Sequence, residues 1–204
     1  MKGSPTQNEI DALVSQVRGQ KEPAGTAKHK SIQHCDFRKA GQLSNEYARA
    51  ITALHESFAR NVSSTLRGYF GISFDVVLCS VEQLNFGEYF GSNVDPGYYL
   101  PLSINPTSTD ALLQVELPFV YSVIEVLLGG PGKSSATNRD ITDIEEDVFQ
   151  TAMARIVRHL ELTWQALDVT IDMAQRLKPA QVSQFLAREE KIVTLIFELR
   201  MCDV

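Results

Sequence analysis

Between Tyr47 and Leu66 the apolar residues Tyr47, Ile51, Leu54, Phe58, Val62 and Leu66 recur every three or four positions. That spacing predicts one long helix from Ser44 to about Arg67 with a single buried face, ended by Gly68 and Gly71. The Val- and Leu-rich run Phe74 to Ser80 then reads as a strand. Leu100 to Ile104 and Ala111 to Leu117 read as two more, parted by the turn-prone Asn105-Pro106-Thr107-Ser108. A second helix is expected from Pro118, a good first-turn residue, to Leu128, where Gly129-Gly130-Pro131-Gly132 stops it. A third opens with the capping box Thr142 and Glu145 and runs through Val148, Ala152, Ile156 and Leu160 to Trp164. Two strands follow, Asp168 to Met173 and Lys191 to Met201.

These elements repeat. A shift of 93 residues lays Asp75-Val76 on Asp168-Val169, the first long helix on the helix that starts near Asp140, and Leu100, Leu102 and Ile104 on Val193, Leu195 and Phe197. The expected fold is α/β of the α+β kind: two helix-strand-strand-strand units related by a pseudo-twofold, with long helices packed on a β-sheet. The same shift would carry the third strand, residues 111 to 117, onto 204 to 210. The repeat therefore predicts a chain that stops before its final strand.

The N-terminal part differs. Residues 19 to 35 hold two glycines, a proline and hardly any large apolar side chains, so they are expected to form a flexible linker. Before it, Thr6 stands three residues ahead of Glu9, and Ile10, Leu13, Val14 and Val17 follow at helical spacing. A helix of about 12 residues is marginal by itself, so residues 1 to 18 read as a peptide that folds on a partner. The resulting division is 1 to 18, 19 to 35, and a folded domain from 36 to 204.

With 44% hydrophobic and 22% charged residues, the composition is that of an ordinary globular protein. The net charge of -6 is uneven: residues 1 to 43 carry +3, leaving -9 for the rest. An acidic folded part argues against nucleic acid as a partner. Cys35, Cys79 and Cys202 are widely spaced and odd in number, which suits reduced thiols in a cytoplasmic protein. No apolar run approaches the length of a membrane span.

Candidate chemistry is sparse. His29, His34, His55 and His159 are scattered, so neither a metal site nor a Ser-His-Asp set is expected, and no cofactor is implied. Gly132-Lys133-Ser134 has the end of a phosphate-binding loop, but Leu127 stands where the motif needs its first glycine, and a helix precedes it where a strand is required. Gly129-Gly130-Pro131-Gly132 has two readings. One is a helix stop and turn. The other is a contact loop, because three glycines in four positions exceed the needs of one cap and permit close approach by a partner.

Several motifs, taken in order, resemble those of the FliM family of flagellar motor switch proteins: Gln7-Asn8-Glu9-Ile10-Asp11-Ala12-Leu13, Asp36-Phe37-Arg38, Leu54-His55-Glu56-Ser57-Phe58-Ala59-Arg60, Ser80-Val81-Glu82-Gln83-Leu84, Leu127-Leu128-Gly129-Gly130-Pro131-Gly132 and Thr142-Asp143-Ile144-Glu145. The resemblance implies a CheC-like middle domain behind an N-terminal peptide. It implies that phosphorylated CheY binds at Gln7, Glu9, Ile10, Asp11 and Leu13, and that FliG is contacted by Gly129, Gly130, Pro131 and Gly132. It further implies neighbouring FliM copies in a cytoplasmic ring at the basal body, peripheral to the inner membrane. By the same resemblance the family's domain for joining FliN is expected to be absent from this sequence, and Pro5-Thr6 stands where the family usually has Leu-Ser before the glutamine.

Two other readings stand beside it: a CheC-like phosphatase of the response regulator, and a truncated switch homologue without a motor role. The phosphatase signature needs Asp or Ser four residues before a Glu and Asn three after it. Glu56 has Thr52 and Ala59 at those places, and Glu146 has Thr142 and Phe149, so no catalytic residue is assigned.

Overall fold

A computed structural model describes residues 43–91, 94–133 and 139–201. The first helix, α1 (Asn45–Phe70), is capped by Ser44, whose hydroxyl accepts from the Tyr47 N–H at 3.2 Å. It runs through Gly68, where an added Cβ would meet no other side chain or element within 4 Å, and stops only at Gly71. There φ reaches +69° and the N–H donates to the Arg67 carbonyl at 3.0 Å. One glycine on an exposed helix face costs about 1 kcal/mol, too little to end a helix whose other face is buried.

Strand β1 (Phe74–Asn85) is five residues longer than its sequence signal. Its register shifts between Leu78 and Ser80, and past that bulge the polar-rich stretch stays paired as far as Asn85 opposite Lys191. Then come a short helix α2 (Phe86–Phe90), β2 (Gly97–Asn105), β3 (Thr109–Glu116) and α3 (Leu117–Leu127). The second half holds α4 (Asp143–Thr163), a single 3₁₀ turn (Gln165–Leu167), β4 (Thr170–Met173), a short helix α5 (Pro179–Val182) and β5 (Lys191–Met201). The fourth strand starts two residues later than expected, because Asp168 takes a left-handed conformation at φ 51° to close the 3₁₀ turn.

The strands form two antiparallel sheets, β1-β5 and β3-β2-β4. The first strand of each repeat thus pairs with the second strand of the other. The pairings themselves obey the 93-residue shift. Thr170↔Asn105, Ile171↔Ile104 and Leu177↔Tyr99 become Val77↔Glu198, Leu78↔Phe197 and Leu84↔Ile192, and all six pairs are present. The same shift carries Phe86, where α2 begins, to Pro179, where α5 begins. Their few residues gave no periodic signal.

Helices α1 and α4 pack on each other, α1 against β1 and α4 against β4. Phe58, Val62, Leu66, Tyr98, Leu100, Leu102, Val120, Phe149 and Val157 fill the main core, with the Tyr98 and Phe149 rings 4.8 Å apart. A smaller cluster of Phe86, Tyr99 and Val182 joins the two short helices. Each fully buried side chain of this size contributes about 1.5–3 kcal/mol. Exposed ion pairs such as Arg67–Asp75 and Arg200–Glu198 contribute about 0–1 kcal/mol, so apolar burial holds the fold. The peptide 1 to 18, the linker 19 to 35, the boundary at 36 and the predicted strand stop beyond 203 all lie outside the described residues. No helix among the described residues is long and apolar enough to cross a membrane.

Candidate functional site

Helix α3 is apolar almost throughout, with Pro118 in its first turn, and it buries Leu117, Val120, Tyr121, Val123, Ile124 and Val126. It ends in a doubly hydrogen-bonded turn: the Gly129 N–H donates to the Val126 carbonyl at 2.9 Å and the Gly130 N–H to the Glu125 carbonyl at 2.8 Å. Gly129 supplies the left-handed φ of 86° that this motif requires. The other two glycines answer to packing. A Cβ on Gly130 would stand 2.6 Å from Glu125 Cγ. One on Gly132, where φ is also positive at 74°, would stand 2.7 Å from Val126 Cγ2 and 3.2 Å from the Met201 Cε at the end of β5. Of the predicted contact loop, Gly129 and Pro131 are exposed, Gly130 is half-buried and Gly132 is buried. Leu128, 72% exposed, stands beside them. A partner docking here therefore meets Leu128, Gly129 and Pro131, while Gly132 serves the interior.

The far end of the α3–α4 connection is held by charge. The Tyr121 hydroxyl donates to the Arg139 carbonyl at 2.8 Å, and the Arg139 guanidinium lies 5.0 Å from the Tyr121 ring centroid. Arg139 also donates to Glu145 at 2.8 Å. This contact, with the Thr142 N–H and hydroxyl, holds the Glu145 carboxyl down at about 2. The capping box closes as predicted, Thr142 N–H to Glu145 Oε2 at 2.8 Å and Glu145 N–H to Thr142 Oγ1 at 3.4 Å. Arg176, in the link between β4 and α5, is only 7% exposed in its side chain. It donates to both Asp140 oxygens at 2.9 and 3.1 Å and through Nε to Glu146 at 3.1 Å. Sequence reasoning missed Arg139, Asp140 and Arg176, since nothing local pairs residues 36 positions apart.

His29 and His34 lie outside the described residues, and His55 and His159 are placed as structural groups. His55 is buried, its Nδ1 2.9 Å from the Ile51 carbonyl oxygen. His159 Nε2 lies 2.7 Å from Thr65 Oγ1, on a shallow groove of about 440 Å³ between α1 and α4. Among the described residues no three His, Cys, Asp or Glu converge as metal ligands. The positions a phosphatase would give to asparagine are occupied by the buried Ala59 and Phe149, and Glu146 is engaged by Arg176. The regulator-peptide residues Gln7, Glu9, Ile10, Asp11 and Leu13 lie outside the described residues.

Comparison with known proteins gives a consistent picture. The family model for the flagellar motor switch protein FliM matches residues 44–204. The FliM of Treponema pallidum (strain Nichols) is 27% identical over 201 residues, covering 96% of this chain and 58% of that protein. The chain spans about three fifths of the length of the curated relatives it matches. The crystal structure of a FliG–FliM complex from H. pylori aligns with a TM-score of 0.73 at 25% identity, over 78% of this chain and 87% of the other. The FliM middle domain from H. pylori aligns at 0.69 and 23% identity over the same shares.

Proposed function

Since the chain belongs to the FliM family of flagellar motor switch proteins, we propose that it is a non-catalytic component of the switch ring, linking a chemotactic signal to the direction of flagellar rotation. In this reading the turn Gly129 to Gly132 contacts FliG, and the segment Gln7, Glu9, Ile10, Asp11 and Leu13 binds phosphorylated CheY. Neighbouring copies of the chain form the ring, on the cytoplasmic side at the basal body. FliN, a partner expected for the family, is not assigned a surface on this chain.

One observation carries the FliG contact: an exposed turn bare of side chains at Gly129, flanked by exposed Leu128 and Pro131 and fixed from beneath by the end of α3. Such a turn lets another backbone approach closely. A relative whose fold aligns over most of the described residues is crystallised with FliG, which supports the same reading. Signalling then requires that the regulator bind two states of the ring with different affinity.

The test is a calorimetric titration with two arms. Wild-type chain should bind FliG, and Pro131→Trp, a change at an exposed position, should weaken binding at least about tenfold without altering the melting temperature. In the second arm, phosphorylated CheY should bind the wild-type chain more tightly than unphosphorylated CheY, and Ile10→Ala should abolish that preference. Wild-type affinity for FliG in Pro131→Trp would refute the loop contact. Indifference to phosphorylation would refute the signal input.

A further inference from the structure

Glu125 is out of place in its own helix. Among the eleven residues of α3 it is the single charge, flanked by Ile124 and Val126, which are buried. It lies in the last turn, where the helix dipole presents negative charge and disfavours a carboxylate, and no basic residue shares that turn to offset it. Its Oε2 is shut off from solvent with no hydrogen-bond partner. A dry carboxylate oxygen left unpaired costs free energy that a glutamine or an apolar residue at this position would largely avoid. Three separate physical terms therefore oppose this residue, and among the described residues no hydrogen-bond donor meets its Oε2.

The side chain also lies directly behind the exposed turn. The nearest atoms to an added Cβ at Gly130 would be Glu125 Cγ at 2.6 Å and Oε1 at 3.1 Å. Gly130 has no side chain to cover the carboxylate, and Glu125 as a whole is half-buried rather than sealed. A group that packs on the Gly129-Gly130-Pro131 surface thus comes up against the Glu125 carboxyl group, whose Oε1 is the oxygen nearest Gly130.

Resting on the reading of this turn as a contact surface, we infer that Glu125 is a specificity-determining residue of that surface: it accepts a charge-assisted hydrogen bond from a cationic side chain, guanidinium or ammonium, of the protein that docks on the turn. The unsatisfied oxygen of the free chain finds its donor only in the complex. An unmet buried acceptor of this kind belongs with the functional frustration found at binding sites. The partner must bring a basic group to a turn that belongs to an acidic folded part, which sets the chemistry of the pair.

The experiment compares wild type, Glu125→Gln and Pro131→Trp for FliG affinity at low and high salt, with a thermal melt of each. Glu125→Gln should bind roughly tenfold more weakly, with a shallower dependence on salt, while melting at the same temperature as wild type or above it. That opposition of affinity and stability is what a merely structural glutamate would not produce. Unchanged affinity in Glu125→Gln alongside lost binding in Pro131→Trp would overturn the inference and leave the contact turn standing. A melting temperature that falls together with affinity would assign Glu125 to the scaffold and overturn it as well. If Pro131→Trp binds like wild type, the contact turn itself is overturned, and the role of Glu125 with it.

Discussion

His55 is an ionisable ring shut into an aromatic junction of three elements. Phe58 from α1, Trp164 from the end of α4 and Phe197 from β5 surround it at centroid distances of 6.1, 5.5 and 6.4 Å. Burial disfavours its charged form and lowers its pKa below 6.5, against a smaller opposing effect of the hydrogen bond to Ile51. The unfolded chain then binds the proton more readily than the folded one, so this contribution to stability is complete above about pH 6.5 and declines as pH falls below it. Urea midpoints measured from pH 7.5 to 5 should drop for wild type and drop less for His55→Phe; equal slopes would assign the acid sensitivity to other groups. The apolar spacing marked Ile51 and Phe58 as core but left His55 unassigned, because a polar ring on a helix carries no hydrophobic signal of its own. The glycines divide the same way. Gly129 was legible as a helix stop, because that demand is local. Gly132 was less so, because its missing side chain makes room not only for Val126 on the same turn but also for Met201, 69 residues further on.

At the scale of elements, caps and periodicity were legible because they depend on neighbours three or four residues apart. Thr142 and Glu145 close their box as the sequence predicts, and Thr142→Ala should lower the free energy of unfolding by about 1 kcal/mol at neutral pH. Chemical denaturation measures this directly, and a change within error would mean that Arg139 alone holds Glu145. The depressed Glu145 pKa adds a sign: its stabilisation is present above pH 4.5 and is lost as pH falls toward about 2. The group is partly exposed, so solvent screening keeps its share small. Element ends were less legible. α1 passes Gly68, and β1 continues through Ser80 to Asn85, in each case because packing or pairing outweighs a weak local preference.

On the scale of the whole molecule, the two repeats do not fold side by side as separate halves. β1 has β5 as its strand partner, and β4 has β2, so each half completes the sheet of the other. Global unfolding is therefore expected to be a single cooperative transition. A fragment of residues 43–133 keeps α1, β1, β2, β3 and α3 but loses β5, the partner of β1, and α4 with the buried Phe149, Ala152 and Val157. It should show no cooperative thermal transition by circular dichroism; a sharp transition in the fragment would show that the first repeat is autonomous.

The sequence by itself determined the three long helices, the five strands, the 93-residue repeat and the family, since each rests on spacing along one stretch or on a self-match that needs no contact. It also singled out the glycine turn. Only the tertiary structure decided that strands pair across the repeats, that Arg176 anchors Asp140, and that the turn offers Gly129 and Pro131 outward while Gly132 faces in. It alone brought out Glu125, because an unpaired oxygen is defined by what fails to come near it. Such features depend on distances between residues far apart in the chain, which the order of residues constrains only through the folded packing.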